Sequence, residues 1–285
     1  MTLRIGAHVS IAGGFTNALD REEDLGGNCG QVFVHSPRTW GFSDLSDEEA
    51  EAFRDAYDQC GWGPIVVHSN YLINLATPKD DLHERSVETL RKELQRTGRL
   101  AMEYVNFHPG SHTGAGVDDG LDNIADGLDK LADDIPDDVV LLLENTAGKG
   151  TSLGRDAAEL RAMIDRSSLG FDQVGVCIDT CHAFAAGYDL RSEEDVQALV
   201  DDFDEHIGWD NVHAIHLNDS KHPHGSEKDE HEHIGQGEIG EDGMRAILRN
   251  EKIRGKPLIL ETPESDGRGF EENIEEAKRL AGEDA

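Results

Sequence analysis

The chain has 285 residues, of which 59 are acidic and 26 are basic, and its formal net charge is −33. The hydrophobic content is 37%, and no apolar run reaches the ~18 residues of a spanning helix, which excludes a membrane protein. The N-terminus lacks a signal-peptide pattern. The acidic residues lie between regular apolar runs in nearly every segment, which excludes disorder and is typical of a folded protein in concentrated salt. We expect a soluble, cytoplasmic protein from a halophilic source.

Short apolar runs alternate with amphipathic, acidic stretches along the whole chain. Runs rich in Val, Ile and Leu predict strands that are buried on both faces, at residues 3–8, 31–35, 65–68, 104–108, 139–144, 174–179, 212–217 and 258–261. Apolar residues at helical spacing predict helices at residues 47–60, 83–102, 120–132, 156–164, 193–207, 241–248 and 271–280. The first helix follows Ser46, with Glu49 three residues later, which is a capping-box pattern.

The alternation of eight strands with helices predicts an α/β protein, a (β/α)8 TIM barrel. A doubly wound open sheet is the alternative, but it rarely uses eight equally spaced units in a chain of this length. No linker or change of composition divides the sequence, so residues 1–285 are interpreted as a single domain. Residues 219–233 are predicted to form a long polar loop after the seventh strand.

Imidazoles and carboxylates occur at or next to the C-terminal ends of the predicted strands. They are His8, His35, His68, His108, Glu144, Asp179, His216 and Glu261. In a parallel barrel these ends share one face, where barrel enzymes place their active sites. Carboxylates that converge without cations repel one another, whereas imidazole and carboxylate together are suitable ligands for Zn²⁺, Mn²⁺ or Fe²⁺. The pattern therefore predicts a divalent-metal site, although any one of these residues alone could equally cap a helix or pair with an arginine.

A second group of residues extends this site. Asp179 and His182 are three residues apart just beyond a strand, and Asp229 and His231 lie in the polar loop. His182, Asp229 and His231 together would hold a further metal ion, with a solvated loop as the alternative interpretation. The other residues of these types are interpreted as surface histidines (His222, His224 and His233) and structural cysteines (Cys29, Cys60, Cys177 and Cys181).

Several longer strings resemble the motifs of the endonuclease IV family of abasic-site DNA-repair enzymes. They are GAHVSIAGG, HSNYLINL, NFHPGSH, LLLENTAGKG, GVCIDTCHAFAAGYDL, HLNDSK, DEHEHIGQGEIG and LILETP, in family order from residue 6 to residue 263. The strings DTCHAFAAGYD and HLNDSK are long and specific. The resemblance covers nearly the whole chain.

This resemblance implies a barrel with three zinc ions, with Mn²⁺ as an alternative in one position. By motif, the implied ligands are His68, His108 and Glu144 for the first ion, Glu144, Asp179, His216 and Glu261 for the second, and His182, Asp229 and His231 for the third. Glu144 would bridge two ions and position the attacking hydroxide, and Glu261 would help to orient it. The implied reaction cuts double-stranded DNA 5′ to an abasic site, leaving a 3′-hydroxyl and a 5′-deoxyribose phosphate, and a monomer that also removes 3′-blocking groups is expected.

Three residues resemble the groove-inserting side chains of the family, namely Arg38, Tyr71 and Leu72. The segment VHSPRTW around Arg38 departs from the usual sequence of the family motif. In the loop motif, Glu230 occupies the position where the family often has arginine. Two rival interpretations are a sugar isomerase or epimerase on a related metal-dependent barrel, and a binding barrel without catalysis. Metal content distinguishes the isomerase or epimerase from the nuclease, because an isomerase needs one or two ions. Unchanged function in Glu144→Ala would indicate the binding barrel without catalysis.

Overall fold

The polar strand ends predicted from the sequence lie on one end of a closed array of parallel strands. The computed structural model describes residues 3–264 and 267–283. Its strands are β1 (Ile5–Ala7), β2 (Gly30–Phe33), β3 (Ile65–His68), β4 (Tyr104–Phe107), β5 (Val140–Glu144), β6 (Val174–Asp179), β7 (Val212–His216), β8 (Asp219–Ser220), β9 (His231–Glu232) and β10 (Leu258–Leu260). Its helices are α1 (Thr16–Asp24), α2 (Asp47–Cys60), α3 (Asp80–Arg99), α4 (Val117–Asp129), α5 (Ala157–Arg166), α6 (Thr180–Ala186), α7 (Glu193–His206), α8 (Gly240–Arg249), α9 (Glu251–Arg254) and α10 (Phe270–Ala281).

Eight of the strands form one parallel sheet in the order β1-β10-β7-β6-β5-β4-β3-β2, and β1 and β2 then approach each other through a bridge between His8 and Gln31. This nearly closed barrel, with helices between its strands, confirms the predicted fold. The structure adds three short helices that the sequence analysis did not predict, α1, α6 and α9. It also adds an antiparallel pair, β8 and β9, inside the segment predicted as a polar loop.

Inside the barrel, the two-residue period of the strands separates an apolar layer from a polar layer. The apolar layer consists of Cys29, Val66, Leu142, Cys177, Ala214 and Ile259, all fully buried. Two residues further along the same chain segments are Gln31, His68, Glu144, Asp179, His216 and Glu261. The alternation that fills the barrel therefore also directs these polar side chains inward at its C-terminal end.

The helices pack on the outside of the barrel through a continuous apolar core. Helix α2 occupies the predicted residues 47–60, and its start is a capping box. The Ser46 hydroxyl accepts a hydrogen bond from the Glu49 amide at 3.2 Å, and the Glu49 carboxylate accepts one from the Ser46 amide at 3.1 Å. Across the described residues, no helix combines the length and apolar character needed to cross a membrane.

The seam between β1 and β2 is completed by the buried side chain of Glu22 from α1. The Ala7 amide donates to Glu22 Oε1 at 2.9 Å instead of to a neighbouring strand. Glu22 Oε2 is buried and has no hydrogen-bond partner in the part of the chain that the structure describes. A Cβ at Gly6 would lie 2.3 Å from Glu22 Oε1, and one at Gly27 would lie 2.0 Å from it. Glycine at these two positions makes room for the carboxyl group in the seam.

Replacing Glu22 with glutamine is expected to flatten the dependence of stability on pH. Burial raises the pKa of Glu22 to about 8 in the folded protein, against an ordinary value of 4.5. The folded state therefore keeps a proton that the unfolded chain releases, and the free energy of unfolding falls as pH rises between these values, by up to about 1.4 kcal/mol per pH unit. Glutamine has no proton to lose, so the variant gains stability over the wild type as pH rises.

Urea unfolding of both proteins at about pH 5 and about pH 8, in the same molar KCl, measures this difference. If the free energies of unfolding of Glu22→Gln and the wild type differed by the same amount at both pH values, the expectation would be contradicted.

Candidate metal centre

The nine residues expected as metal ligands meet at the C-terminal end of the barrel. Their donor atoms form three groups, within each of which all donor atoms lie within 4.8 Å of one another: His68, His108 and Glu144; Glu144, Asp179 and His216; and His182, Asp229 and His231. Glu261 adjoins the second group, since its Oε2 lies 3.3 Å from His216 Nδ1. Glu144 belongs to the first two groups, and His231 Nε2 of the third group lies 3.7 Å from Asp179 Oδ2 of the second, so the three groups form one continuous site.

Several nitrogen–oxygen distances within these groups match those between two ligands of one ion, whereas His182 Nε2 and Asp229 Oδ1 are 3.1 Å apart, a hydrogen-bond distance. Two atoms about 2.1 Å from a tetrahedral zinc ion are roughly 3.4 Å apart, whereas a good N–H···O hydrogen bond is about 2.9 Å long. Glu144 Oε2 lies 3.4 Å from His108 Nε2 and 3.6 Å from His68 Nε2. His231 Nε2 lies 3.5 Å from Asp229 Oδ1. The spacing fits ligands around a metal ion better than it fits direct hydrogen bonds.

Four of the imidazoles are anchored through the ring nitrogen that faces away from the centre of their group. The anchors are His68 Nδ1 to the Ser69 carbonyl (2.8 Å), His182 Nδ1 to the Asn145 carbonyl (3.0 Å), His231 Nδ1 to the Glu261 carbonyl (3.0 Å) and His216 Nε2 to Gln31 Oε1 (2.9 Å). Such contacts fix the tautomer and the orientation of metal-binding imidazoles. His231 Nε2 is buried and has no hydrogen-bond partner among the described residues, as expected of a nitrogen kept for an ion.

The electrostatics of the cluster favour positive charge. Burial raises the pKa of Glu144, but His108 and His216 outweigh it and hold this pKa well below its usual range. Burial likewise lowers the pKa of His182, but Asp179 and a second carboxylate raise it well above its ordinary value. The buried carboxylates therefore stabilise a cation at their centre. A bound divalent ion would supply that positive charge.

A set of side-chain amides that was not predicted from the sequence holds the carboxylates. Asn106 Nδ2 donates to Glu144, and Asn218 Nδ2 donates to Asp179 at 2.7 Å. Gln31 Nε2 donates to Glu261 at 2.7 Å. Both asparagines lie inside the motif strings, two residues from an expected ligand, so the sequence contained a signal for their role. Gln31 lies outside these strings, and the sequence contained no such signal for it.

Sequence comparisons place this site in a known family. Residues 19–281 match the family profile described as a xylose isomerase-like TIM barrel. The probable endonuclease 4 of Halobacterium salinarum is 52% identical over 278 residues, which is 98% of this chain and 99% of that protein. The probable endonuclease 4 of Haloarcula marismortui is 50% identical over 281 residues, which is 99% of this chain and 100% of that protein. The chain belongs to the endonuclease IV family.

Membership in the endonuclease IV family identifies a hydrolytic nuclease and supports a role in DNA repair at abasic sites. Enzymes of this family depend on metal ions, in agreement with the donor groups described above. The crystal structure of endonuclease IV from Thermus thermophilus is similar over 99% of this chain and 100% of that chain, with 36% identity and a TM-score of 0.86. A D-tagatose 3-epimerase-like protein has a TM-score of 0.69 at 21% identity, a likeness of fold alone.

Two strand-end histidines lie outside the donor groups of this endonuclease IV site. His8 Nδ1 lies 3.0 Å from Glu261 Oε1, so His8 supports a candidate ligand. His35 pairs instead with Glu93 at 2.7 Å, because β2 ends at Phe33 and the chain then turns toward α3.

The prediction that His233 is a surface residue was wrong. It is only 4% exposed, and its Nδ1 lies 3.0 Å from the side-chain amide of Asn273 in α10. The interpretation of Cys181 as purely structural is also incomplete, because its sulfur lies within 4.8 Å of donor atoms of Asp179 and His231.

Glu230, where this chain departs from the usual endonuclease IV motif, forms ion pairs within its own loop. Its carboxylate contacts the Lys221 ammonium and lies 2.8 Å from His222 Nε2. The backbone of the same two segments is also joined, from the Lys221 amide to the Glu230 carbonyl at 3.0 Å. These contacts hold together the hairpin that carries Asp229 and His231.

The three residues expected to contact DNA lie on two neighbouring loops beside the metal site. Arg38 is exposed in the β2–α2 loop, and Tyr71 and Leu72 lie in the β3–α3 loop. Among the described residues, Tyr71 and Val117 are the large hydrophobic side chains that are exposed, and Tyr71 is 56% exposed. Tyr71 and Leu72 line a cleft of about 620 Å³ that also reaches His108.

Proposed function

We propose that the protein hydrolyses the phosphodiester bond 5′ to an abasic site in double-stranded DNA, and leaves a 3′-hydroxyl and a 5′-deoxyribose phosphate. The observation that carries the proposal is the meeting of three donor groups, two of which share Glu144, beside a cleft lined by an exposed tyrosine. The same site would remove 3′-blocking groups, since these too are phosphate esters at a 3′ carbon. We further propose that the enzyme acts as a monomer in the cytoplasm, where its chromosomal substrate lies.

Three zinc ions suit this donor set, with Mn²⁺ as an alternative in one position. The three groups offer imidazole nitrogens and carboxylate oxygens, which are the ligands that zinc accepts in catalytic sites. The first ion would take His68, His108 and Glu144. The second would share Glu144 and take Asp179, His216 and Glu261, and the third would take His182, Asp229 and His231.

Zinc ions held in this way would supply Lewis-acid activation of water and stabilise charge on the phosphate and on the leaving 3′ oxygen. The protein residues would supply the geometry. Glu144 belongs to two donor groups and would fix their positions relative to each other. The Asn106 amide donates to one of its oxygens and restrains it. Glu261, held by His8 and Gln31, would orient a water molecule for in-line attack on phosphorus.

An abasic site has no base to read, so recognition depends on the shape and deformability of the duplex. Extruding a nucleotide from the stack requires the least energy where the base is missing. Arg38, Tyr71 and Leu72 project beside the metal site, and we assign to them the wedge that enters the groove and stabilises the opened duplex.

The test is incision of a duplex that carries one tetrahydrofuran abasic analogue, in molar KCl, with an undamaged duplex as control. We expect one cut, 5′ to the lesion, by protein whose metal content by mass spectrometry is about three zinc ions. A folded protein with this metal content that cuts neither duplex would refute the proposal. One or two Mn²⁺ ions together with interconversion of ketoses would instead establish the isomerase or epimerase alternative.

A further inference from the structure

The two loops that carry the proposed DNA contacts are tied to each other by hydrogen bonds. We name residues 34–46 loop A and residues 69–79 loop B; Arg38 lies in loop A, and Tyr71 and Leu72 lie in loop B. The Tyr71 amide donates to the Pro37 carbonyl of loop A at 3.1 Å. The Asn70 side-chain amide donates to two more carbonyls of loop A, those of Ser36 and Thr39, at 3.2 and 2.6 Å.

A single carboxylate beneath the loops joins both of them to helix α3. Glu93 Oε1 lies 2.7 Å from His35 Nε2 of loop A and accepts a hydrogen bond from the Asn70 amide of loop B at 2.9 Å. Glu93 is fully buried, and its Oε2 has no hydrogen-bond partner within residues 3–264 and 267–283. A buried carboxylate that is only half satisfied costs stability, whereas Leu90 and Leu94 of the same helix supply apolar packing against the barrel.

The contacts of His35 and Asn70 extend this link toward the DNA-contacting residues. Asn70 Oδ1 accepts a hydrogen bond from the Leu72 amide at 2.7 Å, so one side chain orients both the wedge segment and loop A. The His35 ring stacks on Phe42 with centroids 3.8 Å apart and planes at 24°. Arg96 of α3 also donates to the Val34 carbonyl at 2.8 Å and to the Ser43 carbonyl, so loop A is held on α3 at its start and again near its end.

We propose that Glu93 is a positioning residue for DNA engagement, acting through His35 and Asn70 to fix Arg38 and the Tyr71–Leu72 wedge relative to each other. Loops that are already in their bound arrangement lose less conformational entropy when they enter the duplex. Glu93 belongs to none of the donor groups, so its contribution is to lesion binding and not to phosphate chemistry. This inference rests on the proposed function.

The test separates lesion engagement from chemistry with two substrates. In Glu93→Ala we expect KM for the abasic duplex to rise about tenfold or more, with kcat within about threefold of the wild type. Hydrolysis of bis(p-nitrophenyl) phosphate, a small diester that needs the metal site but no wedge, should change by less than about twofold. Glu93→Gln keeps an oxygen that accepts from His35 and Asn70, and should restore a KM close to that of the wild type.

Two further variants make the test specific. Adding Glu93→Ala to Tyr71→Ala should raise KM less than Glu93→Ala does in the wild type, because the main part of the wedge that Glu93 positions is already absent. Glu103→Ala removes the carboxylate that accepts a hydrogen bond from Tyr57 at 2.8 Å, just before β4 at the opposite end of the barrel, and should leave KM unchanged. If Glu93→Ala does not fold, His35→Ala, which removes the imidazole that Glu93 contacts in loop A at 2.7 Å, decides the question by the same readouts.

The possible failures are distinguishable. Wild-type protein that hydrolyses the small diester but not the abasic duplex would refute the proposed function. If the wild type cuts the abasic duplex, an unchanged KM in Glu93→Ala, or a parallel loss of small-diester hydrolysis, would overturn the positioning role.

Discussion

Replacing Glu144 with alanine is expected to lower cleavage of the abasic duplex by on the order of a thousandfold or more. The carboxylate is fully buried and belongs to two donor groups, so its loss would remove a shared ligand from the two ions proposed there. It also removes the carboxylate oxygen that lies 3.2 Å from His182 Nδ1 and 3.3 Å from His216 Nδ1. Single-turnover cleavage, with zinc content measured on the same samples, tests this expectation.

Glu144→Gln is the matched variant, because it keeps the volume of the side chain and an oxygen for the Asn106 amide. We expect it to remain folded, to lose at least one zinc ion and to be nearly as inactive as Glu144→Ala, because an amide cannot bridge two cations as a carboxylate does. Glu103→Gln, at the other end of the barrel, controls for the loss of a carboxylate elsewhere. Wild-type cleavage by Glu144→Gln with full zinc content would show that the bridging role is wrong.

The barrel and the composition of its polar end were predictable because both follow from one local rule. In a strand with a two-residue period, the side chain two positions beyond an interior apolar residue also points inward, as Val66 and His68 illustrate. The same relation joins Leu142 to Glu144. For such pairs, strand position therefore predicts that the polar side chain faces the interior at the C-terminal end of the barrel, without knowledge of the distances between side chains.

What the sequence did not predict depends on contacts between distant segments. His8 and His35 both follow short apolar runs, yet one supports Glu261 and the other pairs with Glu93, which is 58 residues away along the chain. The burial of His233 depends on Asn273 of α10. The pairing of β8 with β9 spans only two residues on each side, too short to leave an alternating pattern in the sequence.

Dilution from molar to about 50 mM KCl is expected to lower kcat/KM for the abasic duplex by about a hundredfold or more, opposite in sign to ordinary DNA binding, which weakens as salt rises. The formal charge of −33 repels the DNA backbone over most of the surface. The Debye length grows from about 3 Å at 1 M salt to about 10 Å at 0.1 M, so dilution extends this repulsion and also the repulsion among the carboxylates of the protein itself.

Only a small part of the surface counteracts this repulsion. Three divalent ions would bring a charge of about +6 against −4 from Glu144, Asp179, Asp229 and Glu261, which leaves about +2 at the metal site. Arg38 and Lys149 are exposed nearby, and Lys149 lines the cleft. Binding therefore depends on a short-range attraction that survives screening, surrounded by a long-range repulsion that salt removes.

Two controls separate repulsion of DNA from loss of structure. Far-UV circular dichroism and zinc content at each salt concentration report folding, and hydrolysis of bis(p-nitrophenyl) phosphate, which carries a single negative charge, reports the metal site. If the protein stays folded, hydrolysis of this small diester should fall much less than cleavage of DNA, because a monoanion meets far less repulsion than a duplex. Full cleavage of the abasic duplex by folded protein at about 50 mM KCl would contradict the expectation, and would mean that the field of the metal site and its neighbouring cations dominates the approach of DNA.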